Sequence, residues 1–287
     1  DGNGNLVGVG ISGGTINYAT GVITALTYVV EPTDGVDLTA TYQQDLEGAT
    51  DIRELNYELT SKSVTAHPYA LKGVVGLFKK FSMQKRFGIS GEEEIALDLT
   101  NAINNEIFGE LLLGINAAIA STGAGVTWDA SVPTEISEYA HRKAMQFSHD
   151  EAEGDLVGRA GRGSVSFIIA GMTAARYYKS LDGFVKLYDG NGISGAHLYG
   201  TYDGIPVIRV PLTAANGGMD PLVAYMGFKG NSPFEAAATI APFMPLTVTG
   251  MLPLGPNPLT SQRAAAMMTG VEILVPNFLT KLTLTGV

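Results

Sequence analysis

The sequence predicts an α+β fold in which strands open the chain, one long helix follows, and strands close it. Three observations carry this. Residues 8–30 alternate in the manner of paired strands around a glycine-marked turn. Ile95, Leu99, Ile103, Ile107 and Leu111 recur at the spacing of one helix face. Ten of the thirteen prolines lie from Pro206 onward, which leaves the final third to strands and rigid connections.

Taken in order, Thr15–Tyr18 and Val22–Leu26 flank Ala19-Thr20-Gly21, a three-residue loop whose last position suits a glycine at positive φ. Val36–Tyr42 supplies a further strand after the turn Pro32-Thr33-Asp34-Gly35. This opening region has few large apolar residues per strand, so it reads as an arm lying on a partner. Glu54–Ala66 alternates again, and Leu71–Phe87 mixes apolar and basic residues without a clear period. Ser90-Gly91-Glu92-Glu93 has capping-box spacing, and three glutamates suit the positive end of a helix dipole. The helix they start runs to about Ala120, and roughly thirty residues at ~1.5 Å each give a length of about 45 Å. Thr134–Ser148 reads as a second helix, Gly154–Gly163 as a Gly/Arg loop, Val165–Ala170 as a buried strand and Thr173–Leu181 as a short helix. Leu198–Val210 reads as a hairpin turning at Asp203-Gly204, with Pro206 drawing its second arm towards a sheet edge. Val223–Leu246 strings together a strand, a Gly-Phe-Lys-Gly turn and a stiff segment with two prolines. Glu272–Val275 and Leu279–Leu284 are terminal strands.

At 287 residues the chain buries a substantial core as one domain or two. Charged residues make up 16% against 45% hydrophobic, with 36 glycines, a composition that favours a surface covered by neighbours over a freely soluble monomer. The net charge of −10 is uneven: the first 60 residues hold nine acidic side chains and one basic, Arg53. Lys72, Lys79, Lys80, Lys85 and Arg86 then form a dense basic patch, either a solvated face or one half of a contact between subunits. The overall acidity argues against a dedicated DNA-binding protein. Phe78, Phe81 and Phe87 lie among these bases, a pattern that suits single-stranded nucleic acid but at this spacing reads as core. With no cysteine, disulfides and thiolate metal sites are excluded. The uncharged stretches 2–30 and 236–262 are broken by glycines and prolines respectively, so neither suits a spanning helix and no membrane association is expected.

Catalytic equipment is missing from the sequence. Glu138-x-x-His141 has the spacing used in di-iron bundles but has no second copy. His149-Asp150-Glu151 with Glu153 reads as a solvated helix end. Gly158-x-x-Gly161-x-Gly163, with Arg159 and Arg162, precedes a strand, where a phosphate cradle calls for a helix N-terminus. No nucleophile elbow, Walker motif or zinc-protease helix is present. Trp128 reads as a core or interface anchor. Catalytic, metal and cofactor sites are therefore expected to be absent.

Several segments resemble, in the same order, the major capsid proteins of tailed bacteriophages, in the branch of T-even-like and giant contractile-tailed phages. They are Gly13–Gly21 with Leu38–Tyr42, Glu58–Thr65 with Lys72–Gly88 and the helix of residues 90–120, and Tyr199–Val207. The most family-like marks are the turn Gly227-Phe228-Lys229-Gly230 and the run Ala241-Pro242-Phe243-Met244-Pro245-Leu246. One departure is that Arg263 precedes Ala264-Ala265, where the family often carries Arg-Tyr-Gly.

The resemblance implies the Hong Kong phage major capsid protein fold. Residues 1–47 would form an extended β-hairpin loop, 48–164 a peripheral domain with its spine helix at about 90–120, 165–254 an axial domain, and 255–287 the return strands of the peripheral domain. It implies hexamers and pentamers tiling an icosahedral head around double-stranded DNA held without sequence-specific contacts. The chain would meet scaffolding, decoration, portal and maturation protease partners, and would be found in a virion assembled in the bacterial cytoplasm. The start at Asp1 is compatible with the family's protease trimming. The candidate contact residues between subunits are Tyr18, Thr20, Gly21 and Val22 at the hairpin and Lys79, Lys80, Lys85 and Arg86 in the basic patch. An encapsulin-like nanocompartment shell is the alternative that shares the fold.

Overall fold

The computed structural model describes residues 4–6, 8–17, 20–31, 33, 61–187, 195–232, 235–255 and 257–287. Tyr18, the strand expected over 36–42 and residues 54–60 of the next one lie outside the described residues. Residues 1–59 and 60–287 form two compact units.

In the first unit, β1 (Ile11–Ile16) pairs antiparallel with β2 (Ile23–Tyr28). The loop closes through Asn17 N–H to Val22 O (2.9 Å) and Gly21 N–H to Asn17 O (2.8 Å). Gly21 has φ +70°, the left-handed conformation the sequence anticipated there. Ser12 Oγ donates to Thr27 Oγ1 across the ladder at 3.0 Å. Neither strand contains a buried residue.

The second unit is built on two sheets and one shared helix. One sheet centres on β12 (Asn257–Ile273), a strand of 17 residues. Along one side of β12 run β10 (Ala238–Val248) and β11 (Leu252–Leu254); along the other runs β3 (His67–Gly76). Residues 61–66, expected as part of a strand, are irregular. They lie across β12, where a Cβ on Gly270 would meet the Thr65 carbonyl at 2.5 Å.

The other sheet has seven strands. Its order is β4 (Val126–Asp129), β13 (Leu279–Thr285), β9 (Val223–Gly227), β5 (Phe167–Gly171), β8 (Ile205–Val210), β7 (His197–Tyr202) and β6 (Phe184–Lys186). The pairs β4–β13 and β5–β8 are parallel and the rest antiparallel. Every residue of β9 is buried, because the sheet is covered on both faces. Ala224 and Met226 enter one core, Val223 and Tyr225 the other.

Asp203 (φ 47°) and Gly204 (φ 83°) form the two-residue turn between β7 and β8. Strand β8 is interior, not at an edge as Pro206 suggested. The proline is tolerated because pairing with β5 begins only at Val207, so its missing N–H falls beyond that ladder.

Helix α2 (Gly91–Thr122) runs 32 residues, so it extends about 48 Å. Leu99, Ile103 and Ile107 pack on the first sheet with Tyr69 and Ala265. Leu112, Ile115 and Ile119 pack on the second with Ile169, Tyr225 and Leu279. The apolar face foreseen from Ile95 to Leu111 is therefore one row that serves two cores in succession. Each fully buried Leu or Ile contributes about 1.5–3 kcal/mol. Ser90 takes the N-cap position, yet its side chain makes no capping hydrogen bond. Glu92, in the first turn, instead binds Lys80.

Helix α3 (Glu138–Ala160) starts on a cap from Ser137 Oγ to Ala140 N–H and ends at Gly161, φ +66°. It starts four residues later than expected and continues through Gly154 and Gly158, so the Gly/Arg loop begins only at Gly161. With α4 (Met172–Lys179) it covers the remaining face of the seven-stranded sheet through Met145, Ala152, Leu156, Ala174 and Tyr178.

Candidate assembly surfaces

The run Leu71–Phe87, ambiguous in the sequence, divides at Gly76: its first part is β3, and Leu77–Phe87 is helix α1. Gly88 closes that helix at φ +70°, with its N–H on Gln84 O. No residue of α1 is buried, and all but Lys80 and Met83 are exposed. Phe78, Phe81 and Phe87 are 77%, 60% and 71% exposed. This overturns the expectation that these rings enter the core. Phe78 and Phe81 lie on the outer side, while Lys80 and Met83 take the inner side against Gly91 of α2.

The structure thus gathers Lys79, Lys80, Lys85 and Arg86 on one helix but gives them different situations. Lys80 forms an ion pair with Glu92 of the same subunit. The Lys85 ammonium lies 5.8 Å from the Phe81 ring centroid. Among the described residues, no carboxylate forms an ion pair with Lys79 or Arg86. Thr20, Gly21 and Val22 stand exposed at the hairpin tip, in the other compact unit. What the sequence reading missed is the exposed aromatic set. Its signal was present: the run 71–88 contains no acidic residue, and its rings are interleaved with bases.

The family-like turn is a structural knot. Gly227 ends β9 where a Cβ would lie 2.3 Å from the Phe167 ring, so no larger residue fits. Phe228 N–H donates to Phe278 O at 2.9 Å, and the two rings meet edge-on at 5.3 Å. Lys229 N–H donates to Ser166 Oγ (3.1 Å) and Gly230 N–H to Glu235 O (3.1 Å). Glu235 in turn pairs with Arg162 at 2.9 Å. The turn therefore joins β9 to the loop after α3 and to the turn before β13. Arg263 makes a comparable clip, donating to Thr249 O (2.8 Å) and to Glu92 O at the start of α2 (3.0 Å).

The polar cluster on α3 is not a solvated helix end. His149 is 2% exposed, its Nδ1 is 3.1 Å from Tyr178 Oη, and its ring stands edge-on to Tyr178 and Tyr202. Burial lowers the His149 pKa, against the opposing pull of Glu153, Asp150 and Asp203. His149, Asp150 and Glu153 bring potential ligand atoms within 4.8 Å of one another. Packing accounts for two of the three: Tyr178 engages His149, and Glu153 accepts from Val165 N–H at 3.4 Å. A cavity of about 490 Å³ between α2 and the β7–β8 hairpin is lined by Asn101, Asn105, Phe108, His197, Pro206 and Ile208, among others. Its described lining holds no carboxylate, hydroxyl or thiol that could act as a nucleophile. Among the described residues, no helix is long and apolar enough to cross a membrane.

The family model for the major capsid protein Gp23 matches residues 9–282, from the first hairpin into the last strand. The chain belongs to this major capsid protein family. The capsid subunit is similar in structure to chains from Gordonia phage Cozz (14% identity, TM-score 0.52, covering 83% of this chain and 78% of that one) and Mycobacterium phage Bobi (14%, 0.51, 88% and 82%). A chain from Mycobacterium phage Adephagia is comparable (13%, 0.50, 87% and 81%). At these identities the likeness speaks to the fold, which is the α+β Hong Kong phage capsid fold the sequence implied. No curated protein sequence matches the capsid subunit. The family is one of structural shell proteins, and α1 and the hairpin tip are surfaces of such a subunit.

Proposed function

We propose that this subunit assembles into hexamers and pentamers that tile an icosahedral phage head and enclose double-stranded DNA. The observation that carries this reading is the extent of the family match, which runs through hairpin, spine helix and both sheets. The motif order favours the T-even-like branch. The exposed, uncharged hairpin of residues 8–30 suits an extended loop laid over a neighbour through Tyr18, Thr20, Gly21 and Val22. We assign β3, α2, β10 and β12 to a peripheral domain and the seven-stranded sheet to an axial domain around the capsomer centre. The expected axial limits of 165–254 then lose β10, which hydrogen-bonds to β12, and gain β4 and β13. A net charge of −10 suits a container wall that must release its DNA. Scaffolding, decoration, portal and protease proteins, and assembly in the bacterial cytoplasm, complete the proposal.

Electron microscopy of particles from the native source, combined with nuclease protection, tests it. Large angular particles holding protected DNA are expected. Small shells, empty or filled with enzyme, would replace this reading with that of a nanocompartment. Only small oligomers would remove the shell reading itself.

A further inference from the structure

Helix α1 cannot be explained by the subunit alone. Isolated helices shorter than about 12–15 residues are marginal in water. This one has 11 residues, only Lys80 and Met83 are partly covered, and Leu77, Phe78, Phe81 and Phe87 are exposed. So dense a set of exposed large apolar side chains on one short element marks a surface that another molecule covers. Its charge identifies the chemistry of that molecule. Lys79, Lys85 and Arg86 stand among the rings, and α1 itself contains no acidic residue.

The same chain carries the complement. Residues 31–58 hold eight carboxylates against one cation, Arg53, interleaved with Leu38, Tyr42, Leu46, Ile52, Leu55 and Tyr57. We propose that α1 is a docking helix for the acidic segment 31–58 of a second copy of this chain. Apolar burial would supply adhesion, and the charge pairs would fix register. Lys80 takes no direct part, since Glu92 already holds it within its own subunit. A DNA backbone would satisfy the cations but would leave the phenylalanines without an apolar partner, so the second copy is favoured. The inference rests on the shell reading and deepens it.

The test uses the full chain, with a benzophenone amino acid at Phe78 and a mixture of isotope-labelled and unlabelled subunits. Photo-crosslinks in assembled shells are expected to join two different chains, from position 78 to residues 31–58. Lys79→Glu/Lys85→Glu/Arg86→Glu should lower shell yield about tenfold or more with the far-UV circular dichroism unchanged. Adding Asp45→Lys/Glu47→Lys/Asp51→Lys to the same chain should restore much of the yield. Crosslinks within one chain, to DNA or to another surface would overturn the proposal, as would normal shells from the triple variant or failure of the reversal to rescue it. Wild-type protein that forms no shells would count against the shell reading itself. Wild-type shells with misplaced crosslinks would count against the docking helix alone.

Discussion

His149 places an ionisable ring between two buried tyrosines, and burial lowers its pKa below the ordinary 6.5. The unfolded chain therefore takes up this proton at a higher pH than the native subunit. The stability His149 contributes is complete above about pH 6.5 and is lost progressively as pH falls from there towards its lower native value. Melting curves of wild type and His149→Gln from pH 7.5 to 5 check this. The wild type should lose more stability on acidification than the variant; parallel losses would mean that the titration lies elsewhere. Gly227 makes a second argument at this scale. An alanine Cβ there would lie 2.3 Å from the Phe167 ring, with the sheet packed on both faces. Gly227→Ala should therefore cost about 1–3 kcal/mol, read by urea denaturation of the subunit. Gly250→Ala, where no atom lies within 4 Å of the added carbon, serves as the control and should be close to neutral.

Helices α1 and α2 follow each other in the chain and use their apolar residues in opposite ways. Ile103 of α2 is fully buried between helix and sheet, so Ile103→Ala should cost about 2–5 kcal/mol. Phe81 of α1 is 60% exposed, so Phe81→Ala should change the stability of the free subunit by only about 0.5 kcal/mol or less while reducing shell yield. Denaturant melts and particle counts on the same two preparations separate these effects. This contrast also marks what could be read from the sequence. The row from Ile95 to Leu111 is legible because four-residue spacing admits one helix face. The turn at Asp203-Gly204 is legible because few residues accept left-handed φ. The run Leu77–Phe87 defeats the same reasoning, since a phenylalanine at helical spacing looks alike whether its partner is in its own chain or the next one. His149 was misread for a related reason: its acidic neighbours suggest solvent, but successive helix residues point different ways, and His149 alone turns inward. The interior position of β8 was hidden because a proline beyond the reach of one neighbour imitates a proline at an edge. The basic patch was legible as composition. Its division, with Lys80 held at home and Lys79 and Arg86 free of ion pairs among the described residues, required the fold.

For the whole molecule, the three cores draw on residues between Tyr69 and Leu284, and none uses the first unit. The hairpin β1–β2 has no buried residue, and an isolated two-stranded hairpin is at best marginally stable in water. Folding and assembly are thus served by different parts of the chain. A truncated protein spanning residues 60–287 should keep its far-UV circular dichroism and melt within a few degrees of the full subunit, yet form no shells. Loss of cooperative melting would show that the first unit supports the core after all. Limited proteolysis of the intact chain probes the same division without truncation. Free subunits should be cut within residues 8–30 well before the sheets are attacked. In assembled shells, where a neighbour covers the hairpin, those cuts should slow about tenfold or more, because cleavage follows the population of the open form. Equal cutting rates in subunits and shells would mean that the hairpin stays uncovered after assembly, and the overlap between neighbours would have to be sought on another surface.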